Sequence, residues 1–226
     1  MLQELHPPDY EKRRQFCTWF KGQFSENVDA METVWFSDEA WFHLSGYVNA
    51  RNYRIWSTTN PHVFEETPLH PLKMGVWCAV SRRRVVGPIF FTDTVTSARY
   101  IKIIDEFVKQ LREDEKQSWF QQDGATAHTA KKTMSHLKNH FGTRVISKDR
   151  WPPRSPDLSP ADFFLWGFLK DRVYRNKPTT LKELKAEIRV QINAIDEEMC
   201  SRVFKNLFKR LDACLAIGGG LFQHNL

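Results

Sequence analysis

Apolar positions along the chain fall into short runs and helical stripes that together predict a mixed α/β protein. Helical spacing is found in six segments: residues 8–27, 97–115, 129–141, 161–174, 181–195 and about 197–215. Short β-rich runs are found in six others: residues 33–36, 42–44, 74–80, 85–92, 118–122 and 144–146. Strands come first, and helices and strands then alternate. This order predicts a mixed sheet with helices on its faces.

The run from Ser118 to Gln122 is predicted to be the central strand, and it ends at Asp123-Gly124. Asp123 is therefore expected at the C-terminal edge of that strand, where open α/β sheets bind ligands. A carboxylate there suits a hard cation such as Mg²⁺. The alternative is an aspartate that only caps the following helix.

A second acid, Asp38, directly follows the apolar run of residues 33–36 and is predicted to end the first strand. Side chains alternate along a strand, so Asp38 and Glu39 should face opposite ways and only Asp38 should line a shared site. If the two strands are neighbours, Asp38 and Asp123 repel each other when ionised and need a cation or a proton. Two divalent ions about 3.5–4 Å apart would then be able to hold a phosphodiester for in-line displacement.

Two candidates for a third carboxylate lie in the proline-rich segment 151–162. Asp157 follows Pro156, a position where aspartate is an ordinary turn residue. Asp162 opens an apolar helix and shares a face with Trp166, and an unpaired carboxylate against a buried surface favours a cation partner. The alternative for Asp162 is helix capping, because Ser159 to Asp162 resembles a capping box.

Two segments show no clear periodicity of apolar positions. Residues 46–71 are rich in Asn, Thr, Pro and aromatics, and we interpret them as a long insertion with a hairpin near Tyr53 to Trp56. The run Gly218-Gly219-Gly220 lacks the strand and helix context of a phosphate loop and is interpreted as a tail.

The net charge of the chain is +6, and the excess of basic residues is concentrated downstream of Asp123. Residues 131–185 hold 13 basic and 5 acidic side chains. This balance favours either a polyanionic partner such as nucleic acid or a set of solvated helix faces. Four widely spaced cysteines without a CxxC pair argue against a zinc site and a disulfide scaffold, and fit a reducing compartment. No membrane span or signal peptide is recognisable.

Three motifs in this order resemble the catalytic domain of mariner-type transposases of the Tc/mariner superfamily. They are Phe36-Ser37-Asp38-Glu39, then Gln122-Asp123-Gly124-Ala125-Thr126-Ala127-His128, then Ser155-Pro156-Asp157-Leu158-Ser159-Pro160-Ala161-Asp162. The last motif is the most specific. The resemblance covers nearly the whole chain, and 39 positions separate Asp123 from Asp162, a few more than is usual for the mariner type.

The resemblance implies an RNase H-like fold with a mixed five-stranded sheet, an insertion at 46–71 and extra helices over 178–226. It implies that Asp38, Asp123 and Asp162 are the catalytic residues and bind Mg²⁺ or Mn²⁺, with two ions expected. His128 is expected to support the second acid or contact phosphate. The basic residues expected to contact DNA are Lys131, Lys132, Arg150, Arg154, Lys170 and Arg175.

The expected activity is cleavage and joining of DNA strands by a homodimer in the nucleus. Residues 1–226 are expected to be one catalytic domain, with 1–30 as an N-terminal helix and linker. Only 37 residues precede Asp38, so the family's upstream helix-turn-helix domains are expected to be absent. The alternative is a non-catalytic module for DNA binding or oligomerisation, derived from a decayed or domesticated transposon.

Overall fold

The computed structural model describes residues 4–25, 34–46 and 72–222. These residues form a five-stranded mixed sheet in the order β3-β2-β1-β4-β5. β1 pairs antiparallel with β2, and β2 with β3, whereas β1–β4 and β4–β5 are parallel. The strands are β1 (Val34–His43), β2 (Lys73–Val80), β3 (Val85–Phe91), β4 (Trp119–Gln121) and β5 (Val145–Ile146).

Seven α-helices are found in the described ranges, and each of them is too short or too polar to cross a membrane. A π-helical turn, Ala161–Leu165, leads directly into the fifth helix. The helices are α1 (Pro7–Phe24), α2 (Ser97–Lys109), α3 (Thr126–Thr129), α4 (Lys131–Phe141), α5 (Trp166–Val173), α6 (Leu181–Asn193) and α7 (Glu197–Ala216).

The sheet separates two apolar cores because consecutive side chains of a strand point to opposite faces. On β1, Trp35 belongs to the core under α2 and α4, and Phe36 to the core under α1 and α5–α7. Both side chains are fully buried. The helices therefore form one layer on each face, as the strand and helix order predicted.

β1 differs from the prediction, because the expected strands at 33–36 and 42–44 are one continuous strand. Phe36 to His43 pair with Val80 to Lys73 of β2 without interruption. Backbone pairing does not depend on side-chain polarity, so the polar run at 37–39 does not end the strand. Asp38 therefore lies inside β1 and not at its end.

Two predicted helices also have different limits. The helix expected over 97–115 ends at Lys109, and residues 113–115 form a separate 3₁₀ turn. In that turn the buried Glu115 accepts hydrogen bonds from Arg84 and from the backbone N–H of Arg112. The helix expected to begin at Thr129 begins at Thr126 and is interrupted at Ala130, whose ψ is 141°.

The glycine run at 218–220 is not a tail, because it is packed against α1. Gly219 has a φ of +90°, and a Cβ there would lie 2.2 Å from the carbonyl oxygen of Tyr10. Its own carbonyl accepts a hydrogen bond from Arg13. Glycine is required here by both the backbone conformation and the close approach. The predicted insertion, apart from Gly46, and its hairpin at Tyr53 to Trp56 lie outside the described residues.

Candidate functional site

Parallel pairing of β1 with β4 brings the first two acids to one region of the sheet. Phe36 of β1 lies opposite Gln121 of β4. Asp38 is two residues beyond Phe36, and Asp123 is two residues beyond Gln121. The prediction that Asp123 follows the end of a central strand and that its strand neighbours that of Asp38 is confirmed.

The third acid comes from the π-helical turn. Asp162 lies in the first part of that turn, and its backbone N–H donates to the carbonyl of Ser159 at 3.0 Å. Asp38, Asp123 and Asp162 line one cavity of about 470 Å³, together with Gln121. The structure therefore brings the three predicted acids into a single recess that is open to solvent.

Asp38 is held by an indole. Trp166 Nε1 donates a hydrogen bond of 2.7 Å to Asp38 Oδ2. Burial, followed by the negative charges of Asp162 and Glu39, raises the pKa of Asp38 well above its ordinary value, and the bond from Trp166 opposes this only in part. The environment thus disfavours the ionised form of Asp38 when no cation is bound.

Asp162 is affected in the same direction. Its surroundings in the recess raise its pKa to about 6, mainly through burial and also through the charge of Asp123, against a contact with Ser159. Two carboxyls of the recess therefore have raised pKa values, with mutual repulsion among the causes. Relief of that repulsion is what a divalent cation provides.

Asp123 has its own cationic partner. His128 Nδ1 donates to Asp123 Oδ1 at 2.5 Å, and the backbone N–H of Ala125 donates to the same oxygen at 2.9 Å. Burial alone would raise the pKa of Asp123, but these hydrogen bonds and the charge of His128 lower it. Burial would likewise lower the pKa of His128, but its contacts with Asp123 and Glu39 raise it to about 10. His128 is therefore an imidazolium that keeps Asp123 ionised.

Glu39 was excluded from the site by the alternation argument, and the structure corrects this. Its Oε1 lies 3.2 Å from His128 Nε2, so His128 is placed between two carboxylates. A second cavity of about 540 Å³ is lined by Glu39, His128, Asp38 and Asp123. Glu39 does not line the 470 Å³ cavity of the three acids, but it reaches Asp123 through the imidazole of His128.

Two aromatic residues were also missed as parts of the site. The ring of Tyr100 on α2 stacks on that of His128, with centroids 4.0 Å apart. Trp166 was recognised only as sharing a helix face with Asp162. Neither role has a local sequence signal, because each depends on contacts between segments that are more than 25 residues apart.

Asp157, the other candidate for the third acid, is used elsewhere. It forms a buried ion pair with Arg13 of α1, with bonds of 2.7 Å from Nη1 and 2.6 Å from Nη2. A carboxylate that is already neutralised by a guanidinium has little affinity left for a metal ion. Unlike Asp162, Asp157 does not line the cavity that contains Asp38 and Asp123.

The basic residues expected to contact DNA are distributed over several surfaces. Lys131 and Lys132 are exposed at the start of α4. The remaining four have protein partners: Arg150 lies over the ring of Trp19, Arg154 donates to Asp9, Lys170 lies partly buried over Phe42, and Arg175 pairs with Asp171.

Of these six, only Arg154 lines the 470 Å³ cavity of the acids. Lys12 and Lys148 also line it, and sequence reasoning did not single them out. Lys148 and Arg154 belong to the basic stretch of residues 131–185, whereas Lys12 comes from α1.

Comparison with known proteins identifies the family of the chain. Residues 33–185 match the DDE superfamily endonuclease family. The chain is 30% identical over 197 residues to the Tc3 transposase of Caenorhabditis elegans, which covers 84% of this chain and 58% of that protein. The chain thus spans less than two thirds of the length of this relative.

The fold is similar to solved structures of Mos1 transposase. The Mos1 paired-end complex with the left transposon end superposes with a TM-score of 0.78 at 21% identity, covering 98% of this chain and 65% of that one. The Mos1 catalytic domain with Raltegravir and Mg gives a TM-score of 0.77 at 19% identity, covering 98% and 100%. These similarities confirm the predicted RNase H-like fold.

The resemblance to Tc/mariner transposases, first carried by three short motifs, is thus confirmed over most of the chain. The matched segment makes up more than half of the sequence and contains Asp38, Asp123 and Asp162. The chain belongs to the DDE superfamily endonuclease family.

Proposed function

We propose that this chain is the catalytic domain of a mariner-type transposase, which cuts DNA strands and joins the resulting ends to target DNA. The observation that carries the proposal is the convergence of Asp38, Asp123 and Asp162 on one cavity. These acids come from a strand interior, a strand end and a π-helical turn. Such convergence has no role in stabilising the fold, because neighbouring carboxylates repel each other.

We propose that Asp38, Asp123 and Asp162 bind Mg²⁺ or Mn²⁺, with two ions as the expected number. Carboxylate oxygens are the ligands that these hard cations prefer. The raised pKa values of Asp38 and Asp162 fit residues whose ionised form needs a cation. When bound, such ions neutralise charge on a phosphodiester and activate water. Structures of the Mos1 catalytic domain with Mg and with Mn support this choice.

The protein's own groups prepare the acids for this task. Trp166 fixes the orientation of Asp38 through the indole N–H, and His128 keeps Asp123 ionised and oriented. Partners of this kind tune metal ligands and are often as important as the ligands themselves. Lys12 and Lys148 on the cavity wall place positive charge where the phosphates of a DNA strand would enter.

DNA is the proposed substrate, bound chiefly through its phosphates. The basic residues of 131–185 and the cavity lysines supply charge that positions a duplex without reading its sequence. The related Mos1 structures include a paired-end complex with the left transposon end and a strand transfer complex, and we extend DNA binding to this chain. We further propose that residues 1–226 act as one domain, as a homodimer, and in the nucleus.

The test is metal-dependent nicking of supercoiled plasmid by the purified chain. We expect nicking with Mg²⁺ or Mn²⁺, none with EDTA, and none by Asp162→Asn. Asp196→Asn is the matched control, because this residue caps α7 and asparagine caps equally well. DNA binding without any metal-dependent cleavage would contradict the proposal and support a non-catalytic module. Equal nicking by wild type and Asp162→Asn would contradict the assignment of the third acid.

A further inference from the structure

We propose that Asp105, His136 and His140 form a second cation site, selective for Zn²⁺, between α2 and α4. Asp105 lies on α2, and the two histidines lie one helical turn apart on α4. Residues four apart on a helix face the same side, so both imidazoles point toward Asp105. None of the three takes part in the acid cavity.

The ligand atoms are already close together. His136 Nε2 lies 2.7 Å from Asp105 Oδ1, and His140 Nε2 lies 3.8 Å from the same oxygen. One ligand atom from each of the three residues falls within 4.8 Å of the other two. Tetrahedral Zn²⁺, with bonds of about 2.0–2.1 Å, separates its ligands by about 3.4 Å. Completing the site would therefore change the separations at Asp105 by about 0.4–0.7 Å and the separation between the imidazoles by at most about 1.4 Å.

If the cluster were only a hydrogen bond to Asp105, His136 alone would be enough to form it. The second imidazole is the feature that such a pair leaves unexplained. The rings of His136 and His140 do not stack, with centroids 4.9 Å apart and an interplanar angle of 73°, and both Nε2 atoms lie within 3.8 Å of Asp105 Oδ1. Asp105 and His136 are partly buried and His140 is exposed, so the site has fixed ligands and a path from solvent.

The donor set decides which cation is bound. Two imidazoles and one carboxylate suit Zn²⁺ and leave a fourth position for water. Mg²⁺ prefers octahedral coordination by oxygen atoms and would therefore bind weakly to a site with two imidazole nitrogens. The two proposed cation sites would therefore differ in metal selectivity because their ligands differ. The three aspartates would bind Mg²⁺ or Mn²⁺, and the site with two histidines would bind Zn²⁺.

The site is placed where it would hold together the helices around His128. Tyr100, which stacks on His128, belongs to α2, and α4 directly follows the short helix α3 that contains His128. A Zn²⁺ ion that bridges α2 and α4 would fix both elements relative to each other. Its main effect would be a higher thermal stability of this side of the sheet.

The experiment measures Zn²⁺ binding with Co²⁺ as a spectroscopic probe, in a large excess of Mg²⁺ that occupies the aspartates. We expect one equivalent of Co²⁺ to give the intense visible absorption of a tetrahedral site, and Zn²⁺ to displace it. His140→Ala, at an exposed position, should weaken binding at least about tenfold, and Asp105→Asn should do so as well. Asp123→Asn, at the other site, should bind Zn²⁺ as wild type does.

Thermal unfolding provides a second readout. Near 100 times the Kd of wild type, Zn²⁺ should raise the Tm of wild type and of Asp123→Asn by roughly 5–10 °C, and that of His140→Ala by about half as much or less. Equal Zn²⁺ binding by wild type and His140→Ala, or its loss in Asp123→Asn, would overturn the proposal. So would complete competition by Mg²⁺. These outcomes do not depend on whether the chain cleaves DNA.

Discussion

Two carboxylate centres lie close together in this molecule and use their charge in opposite ways. Asp157 is buried, whereas Asp123 and Asp162 are exposed in a recess that is open to solvent. Asp157 and Asp162 are five residues apart in one motif. Asp157 lies against the guanidinium of Arg13, whose N–H groups also donate to Ser155 and to two glycine carbonyls. Asp162 shares a recess with Asp38 and Asp123, where part of the interaction between carboxyls is repulsive.

The difference shows that the partners placed around a carboxylate decide whether it contributes to stability or to a ligand site. A buried ion pair with complete hydrogen bonding has no residual need for a ligand, and its disruption is costly because one charge is left unpaired. A group of three acids that has one imidazolium and neutral donors as its partners keeps an unsatisfied negative potential. That potential lowers stability in the absence of a cation and is available for binding one.

The largest expected effect concerns activity at the acid recess. Asp123→Asn should reduce metal-dependent plasmid nicking by more than about 100-fold, since even partners of a metal ligand contribute about 10–100-fold. The substitution is nearly isosteric, so the fold should remain intact by circular dichroism. Asp157→Asn is the informative comparison. Its folded fraction should still cleave DNA, and loss of cleavage by well-folded Asp157→Asn would remove the distinction between the two centres.

The second prediction concerns stability at the ion pair. Asp157→Asn leaves Arg13 buried without its counter-charge and should destabilise the chain by about 3–5 kcal/mol, measured by denaturant unfolding. The corresponding loss in Tm is roughly 6–20 °C. Asp212→Asn, which disrupts an exposed pair with Lys21, should cost at most about 1 kcal/mol. If the two variants were equally stable, the Arg13–Asp157 pair would have no special structural role.

The third prediction tests how the acid recess is organised. Trp166→Phe removes the hydrogen bond from the indole N–H to Asp38 Oδ2 and should lower nicking by about 10–100-fold. Trp35→Phe is the matched control, because Trp35 is equally buried and its Nε1 makes no hydrogen bond within the described residues. Comparable losses of activity in both variants would mean that ring volume matters and the hydrogen bond does not.

The smallest expected effect is the response of stability to Mg²⁺. At about ten times Kd, Mg²⁺ should raise the Tm of wild type by roughly 3–5 °C, because it relieves repulsion only in the folded state. For Asp157→Asn, Mg²⁺ should produce the same increase in Tm, although the Tm without Mg²⁺ is lower. Asp123→Asn should show much less. An equal increment in Asp123→Asn would place the Mg²⁺ site elsewhere in the molecule.

Much of the fold could be predicted because its elements have strong local signals. The hairpin of β2 and β3 and the stripe of α2 follow directly from apolar spacing. The positions of Asp123 after a strand and of Asp162 at the start of a helical segment were also readable. The interior position of Asp38 could not be predicted. A polar triplet looks the same in the sequence whether the strand continues through it or ends at it.

The supporting contacts required the assembled structure. Nothing local distinguishes Glu39 as a partner of His128, since the two residues meet only after β1 and β4 have paired. The same holds for Asp105 and His136, which are 31 positions apart and meet only when α2 and α4 pack on one face of the sheet. The Gly218–Gly220 run was misread for this reason, because its partner Arg13 lies at the other end of the chain.

The sequence by itself determined the order of strands and helices, the three acids and the family they indicate, because periodicity and short motifs are properties of neighbouring residues. Only the tertiary structure decided which carboxylates remain free to bind a cation. Asp157 and Asp162 have similar local surroundings, but Arg13 from α1 neutralises one and no guanidinium among the described residues pairs with the other. The charge state of a buried acid depends on what long-range packing places beside it, and this is not encoded in its neighbours along the chain.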